Sequence, residues 1–448
     1  MTSAHRSKMY LAATVAAIVA TAALLARVGA DAQWLAALGH VIAQRHSIPT
    51  GIPFAAAPTS HWPDATVLAQ LLFNGLERGL GDRGLMLAQL LAVGLAFTVL
   101  ARDALAGGAD ARGTSRALLL AALGTVPALT IARVQLFSLV LFAVAVALLR
   151  ADARAPSRRI WLVVPLLVLW ANLHGTVLLG LAVVFAYLLC SRARREPLLA
   201  LSVGIASTLA LCLTPALTGT VDYYHGLLTN VAAQSGQGMW GALSPTSPLD
   251  LLLIAAAAAL LARVIRARPR LWEWAVLVAL AVLTVQASRT GVWLLLFIAG
   301  PAARAITPIR ARWTALVGPV AVASIAAIAF ATVRGPATGG ATHALLARAV
   351  TLAHGSPMLA EDIIAEQVAL DGGRIWVGNP IDAFSRRDQA IYLDWLDGKA
   401  AGRRALNAQV RVVLVSRGSP AQALMAATPG FTAVGGDATA RIYERVGI

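Results

Sequence analysis

Asp31 stands just beyond the end of a long apolar run, residues 9–25, in the stretch Gly29, Ala30, Asp31, Ala32, Gln33, Trp34. A carboxylate at such an exit can act as a general base or a metal ligand, or be an acid solvated at a helix end. It leads a segment, 27–83, that also holds His40, His46, His61, Trp62, Asp64, Glu77 and Asp82. The histidines lack zinc-ligand spacing and no cysteine accompanies them. His46 and His61 therefore read as hydrogen-bonding groups for a substrate or a membrane interface, and Asp64 as a second carboxylate that serves only if the loop folds back. Further on, Asn172, Leu173, His174 and Gly175 interrupt an apolar hairpin after Trp170. Polar groups at that depth are costly and either face a cavity or close a tight turn. Arg133 and Arg289 lie at the ends of apolar runs where arginine is otherwise scarce. Snorkelling explains either alone, whereas convergence of both with Asp31 would suit an anion. The spacing of the runs predicts that Arg133, Arg289 and His174 line one cavity. No Walker loop, GxSxG or HExxH is present.

The elements that must position these residues are membrane helices. Of 448 residues, 58% are hydrophobic and 13% charged, with a mean hydropathy of +0.72; a soluble domain carries about a quarter charged residues. The net charge of +16 is not spread evenly. From Arg334 onward the balance is +2, and the remaining +14 lies among the apolar runs. Basic residues there orient helices in a bilayer, and with no basic face on a soluble element a nucleic-acid partner is excluded. Apolar runs at 9–25, 84–101, 117–132, 136–149, 160–171, 176–190, 198–213, 249–262, 271–287, 291–303 and 313–333 predict about eleven spans, several shorter than the ~20 residues of a straight one. The connections 102–116, 150–159, 192–196, 263–270 and 304–312 carry three or four arginines each, and the alternate ones carry at most one. By the positive-inside bias, the former join the N-terminus in the cytoplasm and the C-terminal region lies outside.

Two elements depart from this plan. Residues 67–80 have helical apolar spacing but too many polar positions for a span, which predicts an amphipathic helix along the outer membrane face. After Arg334 a Pro/Gly linker, 335–340, leads into alternating strand and helix patterns. Strands are expected at 374–377, 410–416, 432–434 and 440–444, and helices at 362–370, 387–396 and 420–427, with Tyr392, Trp395 and Leu396 as core. The expected division is a transmembrane domain, 1–333, including the exterior loop 27–83, and a small exterior α/β domain, 334–448.

Taken together, these features resemble the C-class (GT-C) membrane glycosyltransferases: a basic N-terminus, one span, then a long exterior loop led by Asp31 and closed by a flat amphipathic helix. More locally the chain is similar to bacterial multispanning proteins related to that class, through Asp31, Trp34, Gly39, Ile42, Ile48, Pro49, Phe54 and Trp62. The run Arg133, Gln135, Leu136, Phe137, Ser138 matches as well, as do Trp170–Gly175 (Trp-Ala-Asn-Leu-His-Gly), Thr214 and Pro215 with Tyr223 and Tyr224, Gly373 and Arg374, and Arg441, Tyr443 and Arg445. The resemblance covers nearly the whole chain. It implies a GT-C-like α-helical polytopic fold in the bacterial inner membrane and transfer of a sugar from a polyprenyl-phosphate donor to a glycan or lipid acceptor of the cell envelope. It implies Asp31 as the catalytic acid-base group. Together with the residue readings above, it gives Gln33, Trp34, His46, His61, Trp62, Asp64, Arg133, Gln135, Asn172, His174, Tyr224 and Arg289 as the expected substrate-binding residues. The family often pairs its acidic residues; Asp31 is followed by Ala32 and Gln33, which speaks against dependence on a divalent metal. The alternatives are a non-catalytic relative that binds glycolipid or partner proteins, and a transporter, for which Glu273 near a helix end is the one ionisable candidate.

Overall fold

The computed structural model describes residues 3–59, 61–236, 240–306 and 317–446. The connection expected at 304–312 and the start of the 313–333 run lie partly outside them. The chain divides into two compact units: Met1–Arg27, Met86–Thr214 and Gly236–Pro336 form one, and Val28–Leu85, Pro215–Ser235 and Ala337–Ile448 the other. The division differs from the expected boundary at 333, because residues 28–85 and 215–235 pack with the C-terminal segment rather than with the apolar helices.

The first unit is a helical membrane unit. Each of the apolar runs is helical in whole or part, and five helices among the described residues are long and apolar enough to cross a bilayer: Ser7–Leu24, Asp82–Ala106, Gln135–Arg154, Pro248–Ala267 and Val317–Arg334. Others are short. Val163–Ala171 has nine residues, which at ~1.5 Å per residue reaches less than half the hydrocarbon thickness. Gly291–Ala305 is buried along almost its whole length and packs against Pro248–Ala267, Ala111–Gly124 and Leu271–Gln286. The outer faces carry exposed Leu91, Leu198, Leu209, Val322 and Ile325, an apolar surface of the kind lipid covers.

At one end of this unit a few charges are buried together. Arg150, 7% exposed at its side chain, donates from Nε to Glu273 (3.0 Å), from one terminal nitrogen to Asp103 (3.0 Å) and from the other to the Phe297 carbonyl (2.7 Å), while its guanidinium plane stacks over the Phe297 ring. Arg154 reaches the second oxygen of Asp103 at 3.0 Å, and Arg304 lies 3.8 Å from Glu273. The planar fork of arginine makes this possible, since one side chain can meet two carboxylates and a carbonyl at fixed angles. Glu273 is thus ion-paired in the helix bundle, as a structural charge would be.

The second unit has a four-stranded sheet. Strands β1 (Met358–Ala360), β2 (Val412–Ser416), β3 (Phe431–Gly436) and β4 (Ala440–Arg445) lie in the order β1-β2-β4-β3, with β1 parallel to β2 and the other pairs antiparallel. Helices Asp362–Leu370, Arg386–Leu396 and Pro420–Ala426 fall within a residue of expectation. Tyr392 and Trp395 stack in its core, and Leu396 is half-buried. The strand expected at 374–377 is a correction: Ile375 forms isolated bridges to Ala55 and Met358, with Arg374 and Trp376 hydrogen-bonded to Met358, rather than a strand of the sheet. The strand β1 and the helix His343–Ala353 were not expected.

Two helices of the 28–85 segment complete the unit. Val67–Leu80 has the expected bounds and turns Val67, Ala69, Gln70, Phe73 and Asn74 inward, against the unexpected helix Ala32–Arg45. Gly39 permits the approach, because a Cβ there would overlap the Gln70 carbonyl.

The Arg150 cluster yields a stability prediction. Removing the central cation leaves two carboxylates desolvated, which costs about 3–5 kcal/mol. Arg150→Leu should therefore lower the thermal unfolding temperature of the detergent-solubilised protein markedly, and Arg150→Lys, which keeps the charge but not the fork, should fall between. An unchanged unfolding temperature for Arg150→Leu would refute the role given to this cluster.

Candidate functional site

Asp31 precedes the first turn of the Ala32–Arg45 helix with φ 80° and ψ −17°. This left-handed conformation is one that aspartate tolerates better than most residues. The helix starts here because its first amides find an acceptor elsewhere. Glu366, on the Asp362–Leu370 helix and 1% exposed, accepts hydrogen bonds from the backbone N–H of Asp31 (2.8 Å), Gln33 (3.2 Å) and Trp34 (3.4 Å), and from the Asn379 side-chain amide (2.6 Å). Helix N-termini leave such donors unpaired and favour a negative charge. Burial, and next the Asp31 charge, push the Glu366 carboxyl above its ordinary value, against the pull of these hydrogen bonds.

Aromatic rings and two further carboxylates continue from Asp31. The Trp34 indole N–H points to Asp31 Oδ1 at 3.5 Å, the limit of a hydrogen bond. Trp34 meets Trp62 edge-on with centroids 6.4 Å apart; Trp62 meets Tyr223 at 6.4 Å, and Tyr223 meets Tyr224 at 5.4 Å. Such edge-to-face contacts use the positive ring edge against the negative face. The Trp62 indole donates to Asp382 Oδ2 at 3.0 Å. Asp64 is 8% exposed; its Oδ1 accepts from Gln70 (2.7 Å) and the Thr66 amide (3.3 Å), while Oδ2 is buried with no hydrogen-bond partner among the described residues. Burial raises the carboxyl of Asp382, and pushes that of Asp64 up to about 6. The Tyr223 phenol is held well above its usual value by burial and then by the charges of Asp382, Tyr224, Asp64 and Asp31. Three carboxylates drawn from distant segments therefore act on one buried phenol. Carboxylates that accept hydroxyl protons beside flat aromatic faces are groups that suit a sugar, which presents hydroxyls at its rim and C–H bonds on its faces.

The other expected residues fall into two sets. In the same unit, Gln33 is buried and donates to Asp82 at 3.2 Å, whereas His46 closes the Ala32–Arg45 helix in a left-handed conformation and is exposed, as is His61. Neither histidine is part of the buried group. In the membrane unit, the two most specific sequence runs meet. Ser138 accepts from the Trp170 indole (2.8 Å) and from the Thr176 hydroxyl (2.7 Å), and His174 Nδ1 lies 3.0 Å from Ser138 Oγ and 2.7 Å from Thr176 Oγ1. Asn172 donates to the carbonyls of Val168 and Leu213, closing the turn. Arg133 and Gln135 are half-buried at the start of the Gln135–Arg154 helix. Arg289 is exposed and stacks over Trp240, 3.2 Å from its ring centre.

Sequence reading missed Glu366, Asn379 and Asp382. Nothing local marks them, since Glu366 lies 335 residues from Asp31 and Asp382 lies 320 from Trp62. Among the described residues, no group of three His, Cys, Asp or Glu side chains could hold a metal ion.

Asp64 gives a pH-dependent prediction. Its folded-state value lies above the ordinary 3.8, at about 6, so ionisation opposes folding as pH rises from about 4 through 6. Asp64→Asn keeps the Oδ1 acceptor and removes the charge. It should raise stability above pH 7 by up to about 3 kcal/mol and give no gain below pH 4, measured by thermal unfolding across pH. A gain independent of pH would contradict the burial assigned to this carboxyl.

No protein-family model and no curated protein sequence matches the chain. Solved structures do match along its length. ArnT from Cupriavidus metallidurans bound to undecaprenyl phosphate superposes with a TM-score of 0.51 and 14% sequence identity, over 99% of this chain and 98% of that one. Its apo state gives 0.50 and 13%, over 97% and 96%. Likeness at that identity concerns the fold, which agrees with the resemblance seen in the sequence: the chain is a multi-pass membrane protein with a GT-C-like fold.

Proposed function

We propose that the protein is a membrane glycosyltransferase that moves a sugar from a polyprenyl-phosphate donor to a cell-envelope acceptor at the outer face of a bacterial inner membrane. The observation that supports this most is the fold shared over nearly its whole length with a protein solved in complex with undecaprenyl phosphate. Asp31, whose Oδ1 the Trp34 indole N–H approaches, is the group assigned to the chemistry. As the acceptor hydroxyl oxygen attacks the anomeric carbon, its proton passes to the Asp31 carboxylate. The bond from that carbon to the lipid phosphate oxygen breaks, and the phosphate departs as an anion. Arg133 and Arg289 of the membrane unit are the guanidinium groups assigned to that anion. Trp34, Trp62 and Tyr224 supply sugar-facing surface, and Asp64 orients a substrate hydroxyl. With eleven spans and a cytoplasmic N-terminus, residues 334–448 belong outside the cytoplasm.

Two experiments test this reading. General-base help is worth roughly 10²–10⁴-fold in rate, so purified Asp31→Asn, folded by thermal melt, should lose transfer from polyprenyl-phosphate sugars by about that factor. Wild-type-like transfer would sink the assignment, and inactivity of the wild type on every donor would favour the non-enzymatic alternative. For orientation, a periplasm-dependent phosphatase fused after Gly340 should be active. Activity of a cytoplasm-only reporter at the same point would reverse the topology.

A further inference from the structure

We propose that Glu366 is the positioning residue for Asp31: its carboxylate clamps the first turn of the Ala32–Arg45 helix and so holds Asp31 in the conformation from which it acts. The catalytic consequence rests on the function proposed above; the clamp itself does not.

The geometry is unusually complete for one side chain. A carboxylate has two oxygens and about four lone-pair directions, and here four N–H donors use them: the amides of Asp31, Gln33 and Trp34 and the side chain of Asn379. Asn379 donates to the same Oε1 that takes the Asp31 amide. Asp31 itself has φ 80°, a strained conformation for a non-glycine residue that persists when its surroundings impose it. The bond from its own N–H to Glu366, at 2.8 Å, is the shortest of the three backbone contacts and falls on the residue whose backbone is displaced. Because the clamp fills the amides of Asp31, Gln33 and Trp34, they are not open to a substrate phosphate.

The test uses the full-length protein in detergent. Glu366→Gln is nearly isosteric, but its NH2 group replaces an acceptor with a donor that faces backbone N–H groups. Hydrogen–deuterium exchange of the amides of residues 31–34 should become about tenfold faster or more in Glu366→Gln, with exchange in β2 and β4 unchanged. A smaller acceleration is expected in Asn379→Ala, which leaves the carboxylate in place and guards against a folding defect in the first variant. In transfer assays, kcat should fall by about 10–100-fold, as misplacement of a catalytic group by an ångström does, while KM for the polyprenyl-phosphate donor stays within about twofold. Unchanged exchange at residues 31–34 in both variants overturns the clamp. Faster exchange with a wild-type kcat overturns its link to Asp31 chemistry. If the wild type transfers no sugar from any donor, the proposed function fails, and the exchange result still decides the clamp.

Discussion

A charge taken out of water must find a partner close by, because its desolvation costs several kcal/mol and only a well-placed counter-charge or set of donors offsets it. In a chain with 13% charged residues, that requirement organises both units. The membrane unit gathers Asp103, Arg150 and Glu273 where three helices approach, so that helices distant in sequence are tied at one end. The second unit solves the same problem without a cation. The Glu366 carboxylate is surrounded by N–H dipoles, and a helix N-terminus takes the role that arginine has in the first unit.

The two solutions differ in what they leave available for chemistry. An arginine-saturated pair is spent on structure. A carboxylate clamp instead exerts its effect on the next side chain along, since Asp31 owes its backbone conformation to Glu366 while its own carboxylate meets the Trp34 indole. The aromatic series Trp34, Trp62, Tyr223 and Tyr224 then links this carboxylate to Asp382 through rings that exclude water without adding charge. The raised carboxyls of Asp64 and Asp382 follow from that exclusion of water.

Much of this architecture is legible from periodicity. The apolar runs, the amphipathic helix Val67–Leu80 and the helix Asp362–Leu370 each depend on spacing within one segment, and each is found where expected. Asp31 stands out in the sequence too, because an acid after an apolar run is a local signal. What is not legible depends on pairing between distant segments. Ile375 reads as strand because its neighbours are apolar, yet two isolated bridges, to Ala55 and to Met358, take the place of a strand. Trp34 reads as a ligand-binding aromatic, and only the fold shows Trp62 against it. Glu366 reads as an unremarkable residue of an amphipathic helix until the amides of Asp31, Gln33 and Trp34 are brought to it. The motif Trp170–Gly175 is intermediate: its turn is visible in the sequence, but the Ser138 hydroxyl that receives the Trp170 indole is not.

The second unit is assembled from three stretches of chain, 28–85, 215–235 and 337–448, and this imposes an order in time. Asp31 and Glu366 are 335 residues apart; at a synthesis rate of 5–20 residues per second, roughly 20 to 70 s pass between their appearance on the ribosome. Throughout that interval the amides at the start of the Ala32–Arg45 helix have no Glu366 to accept them. A ribosome that stops before the last stretch releases a membrane protein with its apolar helices made and its acidic centre unassembled.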